Sequence, residues 1–332
     1  MDLRLAELFA ELEVPGGSGE HSRFRVRSIP SAASHYVGRD ASGFPCILLR
    51  GSGDIVHAPI KLAAIEARFA VPCRVAFADA EERQETLTAV VCISPDPQSQ
   101  NYFFHVCETI IRIVGPTPSL VQVVEAVQRL IDLFRRLSQP ASRSVIGLIG
   151  ELYIIYRSQS PVMATRAWRS DDYNRFDFAI DDLRLEVKAS GDRVRAHNLS
   201  AEQCQPPPGT IGILASLFVE RSGGGMSLLE LIHEVEDRLV NEEELILKIQ
   251  ETVAETLGET LPMALSMRFD ERLAKTSLQF YDLTTIPAIR GGIPPEVTQV
   301  RFRSDLSRMI TVSLTELATE NARISDLLLS PL

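Results

Sequence analysis

The sequence has no C-x-x-C pair, no H-E-x-x-H, and no glycine loop followed by Gly-Lys-Ser/Thr, so GGGM at Gly223 to Met226 reads as a turn rather than a phosphate cradle. The five cysteines (Cys46, Cys73, Cys92, Cys107 and Cys204) are odd in number, scattered, and mostly set among apolar neighbours, as in FPCILL and AVVCIS. They read as reduced core residues rather than zinc ligands, and the six histidines are equally dispersed. No run of about 18 uncharged apolar residues occurs. The start, MDLRLAELFAELEVPGG, is acidic and amphipathic instead of basic and then apolar, which points to a cytoplasmic protein without a membrane partner. Positive charge is also short: 34 Lys+Arg against 44 Asp+Glu leave a net charge of -10. That excludes a general nucleic-acid coat, which depends on clustered cations. It leaves a nuclease open, since acidic metal sites subtract positive charge and nucleic-acid contacts can be confined to one basic face or a partner subunit.

What is present is ample apolar material: 332 residues, 45% hydrophobic, enough for one large domain or two to three smaller ones. A short opening helix is followed by PGGSGEHS, which reads as a flexible linker. HYVGRD, FPCILLRG, CRVAFAD and TLTAVVCIS then read as strands. Two helical patterns come next, NYFFHVCETIIRIVG, with His105 and Cys107 as core residues, and SLVQVVEAVQRLIDLFRRL, capped by Ser119. SQPASRS is a natural joint. Beyond it, SVIGLIGELYIIY is apolar nearly all round and reads as a helix buried on several sides. RFDFAI and LRLEVKA are strands, HNLSAEQ lies in a loop or helix, and IGILASLFVE is a further strand. Ser227 caps a helix in SLLELIHEVEDRL, EEELILKIQETVAETLG is amphipathic, and ALSMRF, LQFYDL and TQVRFR are strand-like. The division expected is a mixed β/α region over 1–138, a core over 139–240 and an α/β region over 241–332.

The chemistry concentrates in FDFAIDDLRLEVKAS. A two-residue turn at Asp181-Asp182 pairs Ile180 with Leu183, Ala179 with Arg184, Phe178 with Leu185, and Asp177 with Glu186. Two carboxylates then stand opposite each other with Cβ atoms about 4.5 to 5.5 Å apart, where like charges destabilise a bare sheet and a cation between them reverses the effect. Strand period puts Phe176, Phe178 and Ile180 on one face with Leu183, Leu185 and Val187; Asp177 takes the other with Arg184, Glu186 and Lys188. The apolar face reads as core. The polar face reads as a divalent-ion site, with Lys188 roughly 7 Å along the strand from Glu186. Oxygen ligands suit Mg²⁺ or Mn²⁺, and a water acidified by the ion and oriented by Lys188 becomes the nucleophile on a phosphodiester. Asp-Asp is a poorer turn than Asn-Gly, and a slip of one residue would separate the carboxylates.

Glu151, in the middle of the apolar helix, is expensive to bury without a cation or donors, so it reads as a supporting or second-metal carboxylate; a solvated helix stripe is the alternative. Gly147 and Gly150 would let that helix approach the sheet. E-x-K taken alone is a common solvated pair. Its weight here comes from the combination of a helix with one Glu, a hairpin with Asp opposite Glu, then Lys, and a polar segment carrying Arg195, His197, Ser200 and Gln203. Trp168 is a candidate for base stacking, but core is the simpler reading.

This order of residues resembles the PD-(D/E)xK phosphodiesterase superfamily of restriction endonucleases and repair nucleases. More closely, GLIGELYII, D-F, LEVKAS and R-x-H-x-x-S-x-E-Q resemble an uncharacterised bacterial group of PD-(D/E)xK members often found beside phage-defence and restriction genes. The resemblance is strong from Ser144 to Gln203 and weaker over the rest. It implies an α/β fold, with a restriction-endonuclease-like core of a central mixed sheet flanked by helices, a β-rich N-terminal region and an α/β C-terminal region. It implies Asp177, Glu186, the Val187 carbonyl and Glu151 around Mg²⁺, with Mn²⁺ able to substitute. Lys188 would orient water and Gln203 would sit on a helix after the catalytic strand. Phe176 stands where the family pattern has proline. Arg193, Arg195 and His197, with Ser200, suit phosphate contacts near the scissile bond. The function implied is a Mg²⁺-dependent DNA endonuclease of a bacterial restriction or phage-defence system, acting as a homodimer or with other defence proteins. The alternative is a catalytically inactive nuclease-fold subunit that binds nucleic acid or partner proteins.

Overall fold

Alternation of apolar and polar residues dominates the first third of the chain, and in the computed structural model, which describes residues 3–14, 23–54, 56–77, 82–170, 175–320 and 324, it produces strands. The linker expected at PGGSGEHS lies outside the described residues. Helix α1 (Leu5–Ala10) precedes β1 (Arg23–Ile29), β2 (Ala32–Asp40), β3 (Pro45–Leu49), β4 (Ile60–Lys61), β5 (Ile65–Ala76) and β6 (Arg83–Cys92). Their order is β1-β2-β3-β6-β5-β4, and a further parallel pairing from Arg23↔Arg74 to Arg25↔Ala76 joins β1 to β5. Five strands therefore close into a barrel, which removes most free edges. The long β5 bends at a bulge between Arg68 and Val71, where Ala70 takes φ 46°. Period-2 residues such as Phe24, Val26, Leu48, Val75, Leu87 and Val91 fill the interior together with Cys46 and Cys73. All five cysteines are free and buried.

Helices α2 (Pro97–Val114) and α3 (Leu120–Leu137) follow, the first capped by Asp96 and the second by Ser119 in a capping box with Gln122. Next come α4 (Val145–Arg157), α5 (Pro161–Ala167), β7 (Phe178–Ile180), β8 (Leu183–Ser190), β9 (Ala196–Ser200), β10 (Ile211–Phe218), β11 (Arg221–Ser227) and α6 (Leu228–Glu236). Helix α7 (Glu243–Leu257), a short 3-10 turn and α8 (Leu261–Leu265) lead to β12 (Arg268–Phe269), α9 (Glu271–Ser277), β13 (Gln279–Asp282), β14 (Arg301–Asp305) and α10 (Leu314–Glu320). The chain forms two compact units, one of Met1–Ala141 with Ile246–Pro262 and the other of Ser142–Leu245 with Met263–Leu332.

The second unit is built on a mixed sheet of order β13-β10-β8-β7, with β7 antiparallel to β8, β8 parallel to β10 and β10 antiparallel to β13. Helix α4 packs on β8 and α9 on β10. Three local expectations need correction. HNLSAEQ is strand β9 running into a turn, because β9 pairs with the distant β14 from Arg301↔Ser200 to Asp305↔Ala196. ALSMRF begins as the end of α8. GGGM is the bulged middle of β11, whose Arg221 and Met226 both pair with Phe269. Among the described residues no helix is long and apolar enough to cross a membrane.

Candidate functional site

The hairpin of β7 and β8 pairs Phe178↔Leu185, Ala179↔Arg184 and Ile180↔Leu183, the register that apolar alternation requires. Asp181 makes the tight turn possible by adopting φ 45°, a conformation aspartate tolerates. The ladder stops at Phe178. Asp177 therefore meets β8 through its side chain: Val187 N–H donates to Asp177 Oδ2 at 2.8 Å, while the Asp177 carbonyl accepts from Arg169 N–H at 2.7 Å. An extended residue sends its N–H and C=O out by the same edge, so the Val187 carbonyl also lies on the Asp177 side, past the end of the ladder.

Glu186 is 2% exposed and Asp177 8%. Glu186 Oε1 is held from two sides, by Lys188 Nζ at 2.6 Å and by Gln203 Nε2 at 2.7 Å. Glu186 Oε2 is buried with no hydrogen-bond partner among the described residues. Burial, then the neighbouring carboxylates Glu186 and Glu151, push the Asp177 carboxyl well above its usual range. Burial likewise raises Glu186, against the pull of Lys188. Lys188 loses hydration by burial, yet the surrounding carboxylates raise it overall and keep it an ammonium. A pair of carboxyls held this unfavourably, one of them with a buried oxygen lacking a donor among the described residues, could hold a cation.

Glu151 lies on α4 and is 5% exposed. Its burial is satisfied by donors: Trp168 Nε1 at 2.7 Å and Arg169 Nε at 3.0 Å both reach Oε2. Trp168 is fully buried, a core residue with a polar task. Of the two glycines expected to admit the helix to the sheet, only Gly150 does so. A Cβ there would stand 2.9 Å from Ala189 Cβ, whereas one at Gly147 would meet only its own cap residue Ser144. Arg143, just before that cap, points its guanidinium at Asp177 Oδ1 (3.5 Å) and Glu151 Oε1 (3.7 Å).

The remaining candidates separate. Gln203 reaches Glu186 from a turn rather than a helix, fixed by reciprocal bonds with Ser200: Ser200 N–H donates to Gln203 Oε1, and Gln203 N–H to Ser200 Oγ. Arg195 is directed inward, donating to Ser216 O and Oγ and to Ser277 O. His197 is buried against Ser216 Oγ at 2.8 Å, and burial, reinforced by Lys188 and Arg195, lowers it to about 4. It is neutral near pH 7 and adds no positive charge. Arg193 is exposed and paired with Glu220. The expected basic cluster is thus corrected: pairing of β9 with β14 turns alternate residues into the unit. Arg143 and Arg169 were missed by the sequence reading. The signal that could have found them is the number of arginines flanking a helix with one buried acid.

The groups that could hold an ion are all oxygen: Asp177, Glu186 Oε2, which has no donor among the described residues, and the Val187 carbonyl. That set fits a hard divalent cation better than zinc. Along residues 5–307 the chain matches the family described as "Putative PD-(D/E)XK family member, (DUF4420)". No curated protein and no solved structure matches it.

Proposed function

The chain belongs to this family of PD-(D/E)XK members, and from that premise we propose that it is a cytoplasmic Mg²⁺-dependent deoxyribonuclease, a hydrolase cutting phosphodiester bonds within DNA. The observation that carries the reading is the buried Glu186 Oε2 beside Asp177, without a donor among the described residues, with Lys188 holding the other Glu186 oxygen. Asp177, Glu186 and the Val187 carbonyl would hold the ion. Magnesium bound there would neutralise charge at the scissile phosphate and acidify a water. Lys188, an ammonium, would orient that water and steady the developing charge. Gln203 fixes the Glu186 rotamer, and Glu151, already clamped by Trp168 and Arg169, serves behind the site as a positioning carboxylate. The mixed sheet with α4 and α9 packed on it supports reading the second unit as a restriction-endonuclease-like core. DNA as substrate, and a place in a restriction or phage-defence system with itself or other defence proteins as partners, rest on the family resemblance.

The test is nicking of supercoiled and linear duplex DNA with Mg²⁺ or Mn²⁺. Lys188→Met should lower cleavage at least about a thousandfold while retaining Mn²⁺ binding, and Asp177→Asn should lose both. Cleavage by Lys188→Met at the wild-type rate would refute the assigned roles.

A further inference from the structure

Among the described residues, three carboxylates, Asp177, Glu186 and Glu151, meet three cations, Arg143, Arg169 and Lys188, so with every group ionised the formal charges of the cluster cancel. The three cations are not held alike. The Arg169 side chain is 12% exposed and bonded to Glu151 through Nε and Nη2, and its backbone N–H is tied to Asp177. The Lys188 side chain is 22% exposed and sits 2.6 Å from Glu186. Arg143 is 41% exposed, lies on the segment before the α4 cap, and touches its two carboxylates only at 3.5 and 3.7 Å. It also acts electrostatically on Glu186.

A divalent ion added to this balanced cluster leaves a surplus of two positive charges. The loosest cation is the one that repulsion moves, and a phosphodiester anion is what the surplus attracts. A guanidinium is a planar fork matched to phosphate oxygens. We propose that Arg143 is a catalytic residue with two positions: it neutralises Asp177 and Glu151 while the carboxylates lack a divalent ion, then turns to a non-bridging oxygen of the scissile phosphate once they hold one. This rests on the metal-dependent reading above and adds to it a residue that competes with the ion yet serves the substrate.

The signature is two effects of opposite sign from one substitution. In calorimetric Mn²⁺ titrations of the full chain, Arg143→Ala should bind about fivefold tighter than wild type, since a competing ion pair is removed. At saturating Mn²⁺ the same variant should nick duplex DNA about a hundredfold more slowly. Arg143→Lys, which keeps the charge but not the fork, should fall between wild type and Arg143→Ala in both. Equal or weaker Mn²⁺ binding by Arg143→Ala, or undiminished cleavage, would overturn the proposal. Asp177→Asn separates the two levels. If it binds Mn²⁺ as wild type does, the metal site itself is wrong; if it loses binding while Arg143→Ala is unchanged, only the role of Arg143 fails.

Discussion

Glu151 shows how a buried charge is kept by specific donors. Removing the indole N–H with Trp168→Phe leaves Arg169 as its main partner and opens space in a fully buried position. We expect a loss of roughly 2–4 kcal/mol in urea unfolding; a change within about 0.5 kcal/mol would mean the bond is not formed. His197 gives a pH test. Its folded value, about 4, lies below its ordinary 6.5, so the unfolded chain binds the extra proton between those limits. The stability His197 confers is full above the ordinary value and falls as pH drops through that window, by about 2 kcal/mol at about pH 5. Wild type should therefore lose that much more than His197→Gln between about pH 7 and pH 5, the raised carboxyls Asp177 and Glu186 being common to both proteins. Equal losses would show that the imidazole is not buried neutral. Asp177, Glu186 and Lys188 were readable because strand period alone sorts them to one face. Arg143 was not, since it lies outside any periodic pattern and reaches the acids only through the tertiary fold.

At the scale of elements, the site depends on how near α4 comes to β8. Gly150→Ala would place a methyl 2.9 Å from Ala189 Cβ. The overpacking costs about 1–3 kcal/mol against roughly 1 kcal/mol gained in helix propensity. Gly147→Ala meets only the Ser144 hydroxyl, so the propensity gain should prevail. Urea unfolding of the two variants should therefore shift in opposite directions, and equal stability would contradict the close approach at Gly150. The helix, its cap and the hairpin register were legible because each is set within a few residues. Strand β9 was not: its partner β14 is remote in the chain, and that pairing turns Arg195 and His197 inward.

Across the whole molecule, the barrel closure by β1 and β5 and the return of Ile246–Pro262 to the first unit are long-range facts without a local signature. Tyr102 Oη donates to the Gln250 carbonyl at 3.0 Å, and Gln250 Nε2 donates to Thr109 at 2.9 Å, tying α7 to α2. A fragment of residues 142–332 would leave the apolar side of α7, with Leu247, Val253 and Leu257, uncovered. It should aggregate when expressed alone and become soluble with residues 1–141 supplied in trans. A monodisperse, folded fragment by gel filtration and circular dichroism would contradict that division. The proposed phosphodiester chemistry requires one cation between Asp177 and Glu186. The most direct measurement is anomalous scattering from a crystal soaked in Mn²⁺. The expected result is a peak about 2.0–2.3 Å from Glu186 Oε2, an Asp177 carboxylate oxygen and the Val187 carbonyl; no peak there, with Glu186 Oε2 bonded to a protein donor or water instead, would contradict the assignment.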